Sequence, residues 1–299
     1  MMKVIASLVF VTVLGLLAFS GPGLGAERER DPLVSYDAPS STNLHVDTVN
    51  GDDNNDGLTA ETAFATIQKG IDTAKDGDVV AVLPGVYKET INFKGKAITV
   101  KSAHRAAVLE APGTSAVRFS TAEGPDSVLR NFVIRNSQMA VFVAAASPTI
   151  THVTVVGNEY GIGAYGQCQP NVSNSIFWNN SRGNLFGCEV RYSCFEGAAD
   201  SEGNISVDPL LADPDHGDYT LLSERGRYWM QHNVWILDEV TSPCIDAGAP
   251  STDCSHERQP NGGRANMGAH GGTPYASMSE RAIHGDIGRD TIVSTPGTD

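Results

Sequence analysis

Between residues 129 and 197, short apolar runs return at a regular interval, each closed by Asn or Gly. Leu129-Arg-Asn131-Phe-Val133-Ile134 aligns with Ile150-Thr-His152-Val-Thr154-Val155, then Val172-Ser-Asn174-Ser-Ile176-Phe177, then Val190-Arg-Tyr192-Ser-Cys194-Phe195. The starts lie 21, 22 and 18 residues apart. Ala140-Val-Phe-Val143 and Gly161-Ile-Gly-Ala164 repeat in the same sense, as do Pro148 and Pro170. A period near 20 built of short strands is the mark of a β-solenoid, because one coil cannot bury its own apolar face and must stack on another. The pattern predicts an interior column of Leu129, Ile150, Val172 and Val190. Strict alternation from that column places Phe132 and Trp178 outside. Arg130, Thr151, Ser173 and Arg191 share the next register position, and Asn131, His152, Asn174 and Tyr192 share a turn.

Upstream, the period is different. Phe64, Ile67, Ile71 and Ala74 recur at helical spacing, so the pattern predicts a cap helix near 63–75, stopped by Asp76-Gly77-Asp78. Val79–Val82, Ile98–Val100 and Val117–Phe119 read as further strands. About six or seven coils are expected. At the start, Lys3 precedes an apolar run from Val4 to Phe19 and a small-residue stretch ending at Ala26. That order reads as a secretory signal peptide over 1–25, and the run is too short to span a bilayer comfortably. A polar leader over 26–44, a solenoid over 45–205, a C-terminal region over 206–275 and a flexible tail over 276–299 complete the expected organisation. The mature chain is expected outside the cytoplasm, secreted, periplasmic or at the surface, with no membrane span.

Composition narrows the partners. The 299 residues are 40% hydrophobic and carry a formal charge of −14. No basic stretch exists to displace counterions from a phosphate backbone, so nucleic acid is not an expected partner. Five cysteines, an odd number, suit an oxidising compartment only with one thiol left over. Cys244 with Cys254, close in a turn-rich stretch, is the first expected disulfide, and Cys168 with Cys188 the second.

The segment from Val46 to Val82, with Asp52-Asp-Asn-Asn-Asp56-Gly57 ahead of Phe64–Ile71 and Pro84-Gly-Val-Tyr87 behind, resembles the entry to right-handed parallel β-helix proteins of the pectate-lyase-like superfamily. Asp208-Pro-Leu-Leu, Gly217-Asp-Tyr219, Ser242-Pro-Cys-Ile-Asp-Ala-Gly248 and Asn266-Met-Gly-Ala-His-Gly-Gly272 resemble the ending called the choice-of-anchor Q domain. That ending is common on secreted β-helix proteins of planctomycete-like bacteria. The resemblance implies an all-β, right-handed parallel β-helix with an N-terminal capping helix. It leaves activity open, because this fold hosts lyases, hydrolases and non-catalytic proteins.

Lyase chemistry in that superfamily implies Ca2+ to neutralise a uronate and a Lys or Arg to take its proton. Asp52, Asn54 and Asp56 match the opening of a calcium loop, but position twelve is Ala63; a solvated turn before the helix is the preferred explanation. A second acidic stretch holds Asp200, Glu202, Asp208, Asp213, Asp215 and Asp218, near Glu196. No Lys lies on the regular coils, so Arg130 and Arg191 are the candidate catalytic bases. They fit equally a solvent-facing row, and an Arg pKa above about 12 suits a base poorly. Trp178 and Tyr160 are candidate sugar-stacking residues, whereas Tyr228, Trp229 and Trp235 are expected to plug the solenoid end. Two functions follow: recognition of polysaccharide or cell-envelope glycan, extending to a calcium-dependent lyase, or a non-catalytic surface module.

Overall fold

The computed structural model describes residues 42–198 and 202–279, and the backbone of 292–294. The signal segment, most of the leader, Asp200 and the greater part of the tail lie outside the described residues.

Three parallel sheets wrap one apolar interior. The first has seven strands: Asn43–Val46, Val79–Val82, Thr99–Ser102, Val128–Arg130, Thr149–Thr151, Asn171–Ser173 and Val190–Arg191. The second has six: Val86–Lys88, Ala107–Glu110, Phe132–Arg135, Thr154–Val156, Ile176–Trp178 and Cys194–Phe195. The third has five: Ile91–Asn92, Ser115–Phe119, Met139–Ala144, Tyr160–Tyr165 and Leu185–Phe186. The molecule is therefore an all-β parallel β-helix. Its complete coils number five, with a partial coil at either end, fewer than the six or seven expected. The regular coils stop at Phe195: beyond it, Glu202, Asn204 and Ile205 hydrogen-bond back to the last coil, and Ile205 bridges Cys194.

The interior column is as predicted and longer. Leu44, Val80, Val100, Leu129, Ile150, Val172 and Val190 stand in register, each buried. Phe132 corrects the alternation: it is fully buried, not outside. The corner between the first and second sheets is a single left-handed residue, Asn131, His152, Asn174 or Tyr192, with φ of 62°, 50°, 53° and 47°. That residue turns the chain without advancing the pleat, so the residue after it points inward. Asn tolerates this conformation because its short polar side chain can bond locally.

The helix spans Ile67–Thr73, shorter than 63–75. Phe64 is still extended, bridging Val46, and Thr66 caps the helix through its side chain. Both ends are satisfied from elsewhere. Glu89 accepts from the amides of Ile67 and Gln68 at 2.9 and 3.0 Å, and the Lys96 ammonium donates to the carbonyls of Ile71, Asp72 and Ala74.

The C-terminal region does not plug the end. It runs back along the flank of the second sheet. Val133, Thr154, Ile176 and Cys194 point out of the coil yet are buried. Ile176 and Cys194 pack with Leu221, Cys244 and Met267, and Val133 and Val156 pack with Tyr219 and Ala269. The hairpin of Arg227–Trp229 and Val234–Leu237 lies at the level of an early coil, where Arg105 donates to the Met230 carbonyl at 3.2 Å. Tyr228, Trp229 and Trp235 therefore belong to this flanking layer. The packed body continues past 275: Ala276, Ser277, Met278 and Ser279 are buried, and Ile292–Ser294 pairs in parallel with Val234–Leu237.

The signature motifs are the joints of this layer. Asp218, nearly inaccessible, is paired with Arg227 at 2.7 Å, and Asp238 closes on the same guanidinium at 2.9 Å. The Ser242 hydroxyl donates to the Pro209 carbonyl, and the Met267 amide to the Cys244 carbonyl. The amides of Asn266 and Gly272 both donate to Oε1 of Glu257.

Candidate functional site

The acidic loop is occupied with its own backbone. Oδ1 of Asp52 accepts from the amide and side chain of Asn54, Oδ1 of Asp56 from the Leu58 amide and the Thr62 hydroxyl, and Asp53 from the amides of Ala65 and Thr66. Among the described residues no three His, Cys, Asp or Glu side chains gather as a metal site would need. The second acidic stretch is likewise dispersed. Glu202 pairs with Arg191, Asp213 with His216, and Asp218 is buried with Arg227, while Oδ1 of Asp208 caps the Leu210 amide.

Arg130 and Arg191 do share one register position on the first sheet, with Thr151 and Ser173 between. Arg191 meets the carboxylate of Glu202, and Arg130 that of Asp253 through its charge. Arg130 donates through Nε to Oδ1 of Asn131 at 2.9 Å and lies under the C-terminal layer, beside Gly272. Burial lowers its pKa, opposed by the charge of Asp253. Arg191 lines a cleft of about 690 Å³ at the lower corner, with Cys168, Cys188 and Glu189.

All five cysteines are free thiols. Cys244 is buried in one cluster with Cys194, and Cys254, its expected partner, lies outside that cluster. Cys254 is half-exposed.

Trp178 opens a different region. It shares an outward column with Glu110, Arg135 and Val156 on the second sheet. Because Leu211–Asp213 and the turn after it stand alongside, that column becomes the floor of a cleft of about 440 Å³, with Pro214, Asp215 and Tyr219 as the far wall. Arg135 holds the site together. Its Nε donates to Oε1 of Glu110 at 2.8 Å and its Nη1 to the Tyr219 hydroxyl at 2.6 Å. Burial raises the phenol pKa of Tyr219, against the pull of Arg135. The cleft thus presents an indole, a fixed ion pair and the exposed carboxylate of Asp215.

A second cleft, of about 300 Å³, adjoins it around the corner, sharing Asn136, Gly157 and Asn179. These three occupy the other left-handed corner, with φ of 50°, 65° and 54°. Behind them a buried amide ladder fixes the corner. Oδ1 of Asn180 accepts from the side chain of Asn158 at 3.0 Å, and Nδ2 of Asn180 donates to Asn184 at 2.8 Å. The second cleft ends at Glu159, next to Tyr160 on the third sheet. Tyr160 packs edge-on to Phe186 at 5.6 Å with Arg182 over it, and Tyr165 stacks on Phe142 at 5.4 Å, with Arg118 over the Phe142 ring. Tyr165 and Phe186 are 47% and 41% exposed, so this aromatic face is open to solvent. The structure brings Trp178 and Tyr160 to the two ends of one wrapped surface, and leaves Arg130 and Arg191 on another face. Asp215 and Tyr219 stood in the sequence only as part of an acidic stretch and of the Gly217-Asp-Tyr219 motif, and nothing there joined them to Glu110 and Arg135.

A coiled parallel sheet flanked by a returning segment, with an aromatic and polar surface at one corner, defines a β-helix protein with a surface groove. The chain belongs to the disaggregatase-related family, whose model matches residues 99–248. No curated protein matches it. Among solved structures it is similar to the GH136 lacto-N-biosidase of Eubacterium ramulus, at 13% identity and a TM-score of 0.32. The similarity covers 51% of this chain and 34% of that one, so the chain spans about a third of that enzyme.

Proposed function

We propose that this protein binds a polysaccharide across the corner between its second and third sheets. The observation that carries the reading is the pair of adjoining clefts, of about 440 and 300 Å³, with Trp178 at one end and Tyr160 beyond the other. Sugar rings offer flat C–H faces that stack on aromatic side chains and hydroxyls that suit amides and ion pairs. Asn136, Asn179 and the Arg135–Glu110 pair supply the polar partners, and the amide ladder holds them in place before any ligand arrives. The chain's family is described as disaggregatase related. The signal-like start, Lys3 followed by Val4–Phe19, supports action outside the cytoplasm on envelope or matrix glycan.

Affinity electrophoresis of the chain through gels containing pectate, alginate and neutral glycans tests this. Retardation by at least one glycan is expected, with Trp178→Ala weakening it about tenfold, in line with the loss of one aromatic stacking partner. Free migration in every gel overturns the reading. The finer form, a calcium-dependent lyase step, is supported by the superfamily resemblance alone. It requires a rise in near-ultraviolet absorbance on uronides with Ca2+ that chelator removes. Binding with a flat trace on every uronide retires those uronides as lyase substrates and leaves glycan recognition standing.

A further inference from the structure

We propose that Cys194 and Cys244 form a disulfide that fastens the returning C-terminal layer to the last coil. Cys194 ends the second sheet and points outward from it, while Cys244 sits in the Ser242–Gly248 motif of the flanking layer. Both side chains are fully buried in one small cluster with Ile176, Leu221 and Met267. Their thiols are neighbours within that cluster, and Sγ of Cys194 also reaches the Val207 carbonyl at 3.1 Å. The backbone around Cys244 is held by the Ser242 hydroxyl, which accepts from its amide at 3.1 Å, and by Met267, whose amide donates to its carbonyl at 2.9 Å. Two thiols brought together by separate, fixed backbones need little movement to bond. The other three cysteines lie outside this cluster.

The step consumes an external disulfide, such as oxidised glutathione or an oxidised thiol oxidoreductase. One protein thiol loses its proton and attacks a sulfur of that disulfide, releasing the first external thiol and leaving a mixed disulfide. The second protein thiolate then displaces the other external sulfur. The protein loses two hydrogens and two electrons, and the external disulfide becomes two thiols. Because the pair is buried, the exchange proceeds during folding or through local opening of the layer.

The test refolds the full-length chain with a glutathione redox buffer, alkylates remaining thiols, digests without reduction and weighs the peptides. The expected product is a Cys194–Cys244 linked peptide, two hydrogens lighter than its parts, with the other three cysteines alkylated. Reduction should lower the Tm by on the order of 10 °C, since the bond closes a long loop. Cys194→Ser should abolish that difference and Cys254→Ser should keep it. A Cys244–Cys254 peptide, or five alkylated thiols after oxidative refolding to the native fold, overturns the proposal.

Discussion

Buried ionisable side chains give this protein a pH dependence of opposite sign on its two limbs, Glu257 on the alkaline side and His152 with His270, lowered by burial to about 4, on the acid side. The carboxyl of Glu257 is 3% exposed, and burial pushes its pKa from 4.5 up to about 7. The folded state holds that proton more tightly than the unfolded one. Its contribution is therefore complete below about pH 4.5 and is lost as the pH rises to about 7, a change of about 3 kcal/mol. Glu257→Gln keeps an acceptor for the Asn266 and Gly272 amides, so urea unfolding at pH 5 and pH 8 should show this part of the slope gone and the alkaline side stabilised. His152 acts the other way. Burial, helped by Arg130, takes its pKa from 6.5 down to about 3, and its Nε2 has no hydrogen-bond partner among the described residues. Its neutral form is required by the fold, so stability present above about pH 6.5 is lost as the pH falls toward 3. His152→Asn, matching Asn131 and Asn174 in the same left-handed column, should gain about 2 kcal/mol at pH 5. An unchanged acid limb would show that His152 is not the group responsible.

At the level of strands and corners, the repeat in the sequence was enough to find the coils. Leu129, Ile150, Val172 and Val190 align because a solenoid buries the same register position in every coil, and that constraint leaves a period. Phe132 escaped because a single left-handed corner residue resets the pleat, which composition does not announce. The flanking layer escaped for a related reason. Val133, Thr154, Ile176 and Cys194 look like an ordinary outward column until a second layer, some 40 to 140 residues later in the chain, covers it. The candidate site was half legible. Trp178 and Tyr160 stand out as aromatic residues on repeats, whereas Arg135, Glu110 and Tyr219 meet only through the fold. The corner asparagines join the two layers: Nδ2 of Asn131 donates to the carbonyls of Ala269 and Gly271 at 3.0 and 2.9 Å. Asn131→Gly keeps the left-handed backbone and removes only that amide. It should cost about 3 kcal/mol, from the two hydrogen bonds to the layer and the one received from Arg130, and speed amide exchange over 266–272. Unaltered exchange there would show that the amide does not hold the layer.

For the molecule as a whole, solenoids ordinarily approximate a row of neighbouring units whose ends can fray separately. Here the flanking layer contacts coils far apart along the row, from Arg105 to Cys194. Calorimetry should therefore show one unfolding transition whose van't Hoff and calorimetric enthalpies agree. Two resolved transitions would mean that layer and coils melt apart.

The same layer also acts as a ruler. Within one dipeptide, the Ala269 carbonyl takes the amide of Asn131, the Ala269 nitrogen reaches Thr154, and the Gly268 nitrogen reaches the Asn174 carbonyl. Those three partners stand on three successive coils. A duplicated coil between them would part the outer two by a further strand spacing of about 4.8 Å, farther than a dipeptide can give. Repeat proteins commonly vary by gaining or losing whole units. In this chain the tally of coils is written into a strip of polypeptide lying outside them, so the central repeats are free to change their surface residues but not their number.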